Sequence, residues 1–369
     1  MVFLVERSAF SEALRNVSKA VADKAALKAL EGIKFSLSDS LLELTGYDLE
    51  IGIRTTIPVK SADKGSFIAN ASTISDMVSK MPDGELTIEV DDNYIVTLER
   101  GITSYTLGAT SAEDYPELPE RGSSDPITMP QGVLRSMINQ TKFAASQLDI
   151  KPILKGELFE IANNTLTVAA IDGYRLAVRT EPVAYNEELS FVVPAKNLDE
   201  VAKLLSDNDD ELCSMIVSKK HILFEIGNYI VNSRLLEGEF HPYRSAIPQG
   251  FNTEVIVNRT ALINSLERCM LLINEKNPSP VRCTFENNSL KIRCVNGTLG
   301  KIYDEIDTEQ SGVSIEIGFK CRYFLDPLKA VSDEKVKLQM TGGLQPMKII
   351  PLEEENYTYL VLPVRLPKE

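Results

Sequence analysis

The sequence predicts an α+β protein built from three diverged copies of one domain, each with two helices packed on antiparallel sheets. Two observations support this prediction. A strand segment recurs at intervals of 124 residues, and a pair of amphipathic helices recurs with it in the same order. The length agrees, because 369 residues are more than one hydrophobic core usually organises.

The clearest repeat is a short strand that ends in an Asp or an Asn. Asp48, Asp172 and Asn296 lie 124 residues apart. Apolar and polar residues alternate before each of them, which indicates a strand with one buried face. The same alternation from Tyr94 to Leu98 predicts another strand of this kind.

Two helices follow the same repeat, the first of them after a short strand. The first helix is predicted over 7–21, 131–144 and 258–272, and the second over 72–81, 195–206 and 320–332. Proline-rich stretches at 113–132 and 241–250 are typical of linkers. The predicted domains are therefore 1–121, 122–251 and 252–369.

The net charge of −14 argues, by itself, against a nucleic-acid-binding protein. The charges are unevenly placed, however: the six predicted helices carry 13 basic and 6 acidic residues, which leaves −21 for the rest of the chain. On a single helix such residues are also typical of a solvated face. Their concentration in all three copies favours a positive surface that contacts phosphates without reading base sequence.

No set of residues with catalytic spacing stands out. The segment GTLGK at 297–301 lacks the spacing of a phosphate-binding loop, and His221 and His241 are the only histidines. Asp48 and Asp172 are interpreted as turn residues that accept hydrogen bonds from backbone amides. We therefore expect no enzymatic activity, no catalytic residue and no cofactor.

The five cysteines are odd in number and form no CxxC pair, so we interpret them as buried thiols and expect no metal site. The chain has no run of 18 apolar residues, and its first residues lack the features of a secretory signal. The expected location is the cytoplasm, without membrane contact.

Five segments carry a resemblance to a known family: MVFLVER at 1–7, IDGYRLAV at 171–178, INEK at 273–276, IEIGFKCRYFLDPL at 315–328 and YLVLPVRL at 359–366. In this order and spacing they make the chain resemble the bacterial DNA sliding clamps, the beta subunits of the replicative DNA polymerase. The resemblance covers essentially the whole chain.

The resemblance implies a head-to-tail homodimer whose six domains form a ring around double-stranded DNA, with the helices lining the hole. DNA is then held by topology and without sequence preference, and the polymerase gains processivity. The clamp loader, the replicative DNA polymerase and repair proteins are expected to dock through short linear motifs. The alternative is a ring or arc-shaped scaffold that binds proteins but not DNA.

The resemblance also implies three sets of site residues. A peptide-binding groove would be formed by Leu154, Ile171, Gly173, Tyr174, Leu176, Pro242, Ala246, Lys320, Tyr323, Leu344, Pro346, Leu360, Val361, Leu362, Pro363, Val364 and Arg365. The surface facing DNA would include Arg15, Lys19, Lys24, Arg135, Lys142, Lys151, Lys196 and Lys203. The dimer interface would contain Tyr105, Leu107, Leu271 and Leu272.

The chain departs from the family pattern at three places. His241 and Pro242 stand where members commonly have a proline followed by an acidic residue, which predicts a shifted Pro242. Asn277 replaces an aromatic residue found in some members. Residues 367–369, with the sequence PKE, extend past the usual ending and are expected to crowd the rim of the groove.

Overall fold

The computed structural model describes residues 1–149, 151–273 and 278–366. Most of the INEK segment, Asn277 and the PKE extension lie outside these described residues. Within them, each copy contains eight strands and two helices in the same order.

The first copy begins with a strand and a helix and ends with a hairpin. Its elements are β1 Val2–Glu6, α1 Arg7–Val17, β2 Gly32–Ser38, β3 Leu41–Tyr47, β4 Ile51–Pro58, β5 Gly65–Asn70, α2 Ala71–Lys80, β6 Glu85–Val90, β7 Ile95–Arg100 and β8 Thr103–Thr110. The strand predicted from Tyr94 begins one residue later, because Tyr94 takes a left-handed turn conformation with φ of 59°.

The second and third copies repeat this order. The second contains β9 Ile127–Pro130, α3 Gln131–Thr141, β10 Gly156–Ala162, β11 Thr165–Ile171, β12 Arg175–Pro182, β13 Leu189–Pro194, α4 Ala195–Leu204, β14 Leu212–Val217, β15 His221–Ile226 and β16 Tyr229–Arg234. The third contains β17 Thr253–Asn258, α5 Arg259–Met270, β18 Val281–Glu286, β19 Ser289–Asn296, β20 Gly300–Gly312, β21 Ile315–Phe319, α6 Cys321–Ala330, β22 Lys335–Met340, β23 Met347–Ile350 and β24 Tyr357–Val361.

The chain divides into two compact units, each with one 12-stranded antiparallel sheet. The first unit comprises Met1–Leu134 and Glu200–Leu235, and its strands run in the order β1-β6-β7-β8-β5-β2-β3-β4-β16-β15-β14-β9. The second comprises Arg135–Asp199 and Leu236–Glu369, with the order β13-β10-β11-β12-β24-β23-β22-β17-β20-β19-β18-β21. The predicted α+β class with antiparallel sheets is confirmed.

Each sheet joins two copies through one pair of strands. In the first unit β4 of the first copy pairs with β16 of the second, and Thr55 lies opposite Tyr229. In the second unit β12 of the second copy pairs with β24 of the third, and Arg179 lies opposite Tyr357. These two junctions are equivalent in the repeat.

The helices cover the sheets with one apolar face. In α1 the buried residues are Phe10, Ala13, Leu14 and Val17, a spacing that places them on one side of the helix. At the N-terminus of α2 the Asn70 side chain accepts from the Thr73 amide, and at that of α5 the Asn258 side chain accepts from the Ala261 amide.

The recurring Asp or Asn shapes the same turn in all three copies. Asp48 Oδ1 accepts the backbone N–H groups of the residues two and three positions later, at 2.9 and 2.7 Å. Asp172 does the same at 2.9 and 3.0 Å, and Asn296 at 2.9 Å for both bonds. The interpretation of Asp48 and Asp172 as turn residues that accept from backbone amides is confirmed.

The five thiols are buried, as the sequence predicts. Burial raises the pKa of Cys213 to about 12, so its reactive thiolate form is scarce at neutral pH. These side chains fill the core as small apolar groups.

Candidate docking groove and basic helix surfaces

The predicted groove residues all belong to the second unit, and pairing of β12 with β24 brings many of them together. Leu176 lies opposite Leu360 in this pair. Beyond β24 the chain remains attached, because the Leu362 amide donates to the Tyr174 carbonyl at 2.9 Å and the Val364 amide donates to the Gly318 carbonyl at 2.8 Å. The C-terminal segment therefore lies across elements of both the second and the third copy.

The buried members of the set form a floor. Leu176 and Leu360 belong to a small apolar cluster with Tyr243, and Ile171 packs against it. Val361 is fully buried in the main core, so only its backbone can contribute to the groove. Burial and the Glu160 carboxylate, which accepts from the Tyr243 hydroxyl at 2.9 Å, raise the pKa of Tyr243.

Other members leave apolar surface uncovered. Leu344 is 74% exposed, Tyr174 46% and Leu362 37%. The half-buried members are Leu154, Tyr323, Pro346, Pro363 and Val364, and the remaining exposed ones are Gly173, Pro242, Ala246, Lys320 and Arg365. Exposed apolar side chains around a buried apolar floor are typical of a surface that binds a partner.

Two aromatic rings and a lysine form one corner of this surface. The rings of Tyr174 and Tyr323 have centroids 5.6 Å apart. Lys320 Nζ lies 4.4 Å from the first centroid and 5.1 Å from the second, within the range of cation–π attraction. The corner thus offers a flat apolar wall with a positive charge at its edge.

Arg175 supports this corner and is absent from the residues predicted from the sequence. Its Nε donates to Asp172 Oδ2 at 3.0 Å, and its Nη1 donates to Asp326 of α6. The guanidinium lies 4.6 Å from the Tyr323 ring centroid and 5.5 Å from that of Phe143. Arg175 therefore connects the turn before β12 to helix α6 beneath the ring pair.

A cavity of about 710 Å³ adjoins the same rings. Its lining includes Tyr174, Arg175 and Tyr323, together with the basic residues Lys142, Arg322 and Lys329. Each of these three cations has an acidic neighbour: Asp199 at 2.6 Å, Asp326 at 3.8 Å and Glu267 at 2.6 Å, respectively. The charge around the cavity is thus largely balanced.

The residues predicted to face DNA differ in how free their charges are. Arg15, Lys19, Lys24 and Lys203 lie in the first unit, and Arg135, Lys142, Lys151 and Lys196 in the second. Arg135 and Lys142 are half-buried and the other six are exposed. Lys142 pairs with Asp199 at 2.6 Å and Lys203 with Glu200 at 2.9 Å, which reduces the field that these two add.

The residues predicted for the dimer interface lie on β8 and at the end of α5. Tyr105 is half-buried, whereas Leu107 is 9% exposed. Leu271 is 79% exposed, but Leu272 packs partly against the core of the third copy. Leu271 is therefore the more available of the two leucines.

Within the described residues, no group of three or more His, Cys, Asp or Glu side chains could hold a metal ion. In the same residues no helix is long and apolar enough to cross a membrane.

Comparisons with known proteins agree over the whole chain. Models of the N-terminal, central and C-terminal domains of the DNA polymerase III beta subunit match residues 1–119, 128–242 and 244–365. A beta sliding clamp of Halalkalibacterium halodurans is 32% identical over 379 residues, covering 99% of this chain and 100% of that protein.

Solved structures are equally similar. The DNA polymerase sliding clamp from Bacillus subtilis has a TM-score of 0.95 and 30% identity, with 100% of both chains covered. A sliding clamp from Pseudomonas aeruginosa, bound to griselimycin, has a TM-score of 0.93 and 28% identity, covering 99% of this chain and 100% of that one.

Proposed function

We propose, from the premise that this chain belongs to the family of bacterial DNA polymerase III beta subunits, the beta sliding clamps, that two copies close head to tail into a ring around duplex DNA. Membership makes the chain a non-catalytic processivity factor of DNA replication. The proposed domain limits are 1–121, 122–251 and 252–369, and the proposed location is the cytoplasm.

The observation that best supports a ring is that, within the described residues, parts of β8 and β20 each have one edge without a strand partner. Residues 103–108 of β8 pair with β7, whereas β5 reaches β8 only at Ala109 and Thr110. Residues 300–307 of β20 pair with β19, whereas β17 pairs only with the strand's later residues. Within the described residues, each of these two segments has one edge without a strand partner. Such edges readily pair with another chain.

The internal repeat supplies the partner of each edge. Strands β4, β12 and β20 are equivalent, as are β8, β16 and β24. Inside the chain β4 pairs with β16 and β12 with β24, which leaves β20 and β8. Pairing β20 with β8 of a second copy completes the pattern, and the same contact in the other direction closes a two-chain ring.

The repeat also predicts the register of this contact. Thr55 lies opposite Tyr229, and Arg179 lies opposite Tyr357. The equivalent residues at the open edges are Tyr303 on β20 and Thr103 on β8, which like Tyr229 is the second residue after a turn glycine of positive φ. We therefore infer that Tyr303 of one chain lies opposite Thr103 of the partner subunit and Lys301 opposite its Tyr105, with Leu271 close to this seam.

The positive surfaces of the helices support the proposal that the ring encircles DNA. They concentrate positive charge on a chain of net charge −14, so phosphates are attracted there and repelled elsewhere. The exposed apolar set beside Tyr174 and Tyr323 is the proposed docking groove. Its partners would be short linear motifs of the clamp loader, the replicative polymerase and repair proteins.

Disulfide trapping tests the ring and its register together. In a chain with Thr103→Cys and Tyr303→Cys, the two thiols should lie across one antiparallel pair, close enough to form a bond between chains. Mild oxidation should give covalent dimers. Ser104→Cys with Ile302→Cys, the next pair in register, is an independent second variant.

The matched control is Thr103→Cys with Asp304→Cys. A shift by one residue places the two side chains on opposite faces of the sheet, so this variant should not cross-link. Equal cross-linking of control and test variants, or none in either test variant when both are folded, would argue against the proposed seam.

A further inference from the structure

The second copy contains a buried acid at a place where the other copies have apolar residues. Glu157 is the second residue of β10, and its exposure is 0%. The equivalent positions hold Ile33 in β2 and Val281 in β18, both also fully buried. The carboxyl group thus occupies a site that is part of the apolar core in the first and third copies.

The helix residue above this acid has changed in the same way. Thr141 is the eleventh residue of α3, where α1 has Val17 and α5 has Cys269, and all three are fully buried. The Thr141 hydroxyl contacts Glu157 Oε2 and lies 2.8 Å from the Met137 carbonyl oxygen. Two buried positions that are apolar in the first and third copies therefore form a polar pair in the second.

The arrangement suits a protonated carboxyl group. A hydroxyl has one proton to donate. If Glu157 is protonated, its O–H can donate to Thr141 Oγ1 while the Thr141 hydroxyl donates to the Met137 carbonyl, and both bonds are made. Glu157 Oε1 has no hydrogen-bond partner within the described residues, which would be costly for a buried anion.

The surroundings supply little to stabilise a negative charge. Lys142, in the turn after α3, lowers the pKa of Glu157, but it pairs at 2.6 Å with Asp199 of α4, whose charge raises that pKa. On the adjacent strand β13 the residue opposite Glu157 is Val193. Burial, countered in part by Thr141 and Lys142, raises the pKa of Glu157 to about 8.

We propose that Glu157 holds a proton in the core of the second copy at neutral pH, and that loss of this proton loosens the contact between α3 and β10. This contact is then a pH-sensitive point that the first and third copies lack. The proposal is independent of the ring, since it concerns packing inside one chain.

The direction in which stability changes with pH follows from the difference in proton binding between the folded and the unfolded chain. The folded chain keeps the proton up to a pH of about 8, whereas the unfolded chain releases it near the ordinary value of 4.5. Between these values the native state binds more protons, so stability falls as the pH rises. Below the window there is no loss from this group, and above it the loss is constant.

The test compares the wild-type chain with Glu157→Gln, which keeps the shape but cannot ionise. The unfolding midpoint of the wild type should fall relative to that of the variant between a pH of about 4.5 and about 8, and the gap should then stay constant. Glu157→Val, which installs the residue type of the third copy, should behave like Glu157→Gln and serves if that variant fails to fold.

A second readout observes the proton itself. Infrared difference spectra at neutral pH should contain a protonated-carboxyl band in the wild type that is missing from either variant and disappears near a pH of about 8. Parallel pH profiles of the wild type and the variants, or the absence of such a band, would overturn the proposal.

Discussion

At the scale of single residues, the structure separates side chains that shape the fold from those available to a partner. Asp172 belongs to the first kind, because its carboxylate organises a turn and binds Arg175. Leu344 belongs to the second, because 74% of it is exposed. The repeat alone predicts the role of Asp172, since three copies of a turn residue at fixed spacing are typical of structure.

Arg175 is a residue whose partners could not be predicted from the sequence. It begins β12, two residues before the buried Ala177, so the alternation places it on a buried face, but nothing in that pattern identifies its partners. Asp326 is 151 residues away along the chain and meets Arg175 only through the tertiary fold. The support beneath the Tyr174–Tyr323 corner could therefore not be predicted from the sequence.

The first prediction concerns this arginine. Arg175→Ala leaves two poorly hydrated carboxylates without their shared cation, so the free energy of unfolding should fall by about 3 kcal/mol or more. Urea denaturation measures the loss. Lys320→Ala, which removes an exposed cation from the same corner, should change stability by less than about 0.5 kcal/mol. Equal, small effects of both variants would contradict the role given to Arg175.

At the scale of elements, the helices and most strands could be predicted because each buries one face with a regular period. The tight hairpins were not predicted. Asp39 and Ser40, Asn163 and Asn164, and Asn287 and Asn288 all have positive φ, as a two-residue turn between paired strands requires. The paired asparagines are the signal that could have located the last two of these turns.

The pairing of strands that are far apart along the chain could not be predicted from the sequence either. Alternation identifies β12 and β24 as strands, but it does not reveal that Leu176 lies opposite Leu360. This pairing places groove residues of the second and the third copy side by side. The resemblance to a known family named the same residues as groove candidates, but their arrangement in space is given only by the fold.

The second prediction concerns the segment that begins at Leu362. Deleting residues 362–369 removes the bonds from Leu362 to Tyr174 and from Val364 to Gly318, together with exposed apolar surface. A peptide with two apolar anchors should bind the full chain with a Kd on the order of micromolar. Binding should be lost in the truncated chain, whereas the dimer mass should persist, because β8 and β20 are untouched.

Fluorescence anisotropy of a labelled peptide measures this loss. A shorter deletion of residues 367–369 is the control and should keep the binding. If the chain lacking 362–369 bound the peptide as well as the full chain, the proposed groove would be wrong.

At the scale of the whole molecule, the sequence predicts which helices carry basic residues. It does not predict which of these residues have acidic partners that reduce their attraction for DNA. In the sequence Lys142 and Lys203 look equivalent to Arg15 and Lys19, because all four are basic residues of the predicted helices. In the structure Lys142 and Lys203 have carboxylate partners at 2.6 and 2.9 Å, whereas Arg15 and Lys19 are exposed and have no such bond among the described residues. The four should therefore contribute unequally to DNA binding.

The third prediction follows from this difference. Arg15→Glu with Lys19→Glu should weaken retention on DNA more than Lys142→Glu with Lys203→Glu, and most clearly at low salt, where screening is least. Lys64→Glu with Lys219→Glu makes the same change in net charge outside the helices and should have a smaller effect. Equal retention of all three variants at low salt would show that the helices do not face DNA.

The central claim is that the protein holds DNA by encircling it, and its most direct measurement is retention on one DNA molecule before and after a single cut. Protein loaded onto a nicked circle by the clamp loader should stay bound during gel filtration in moderate salt. After a restriction enzyme linearises the circle, the protein should slide off the free ends and elute separately at about twice the chain mass of 40.9 kDa. Retention that is the same on the cut and the uncut DNA would contradict the ring.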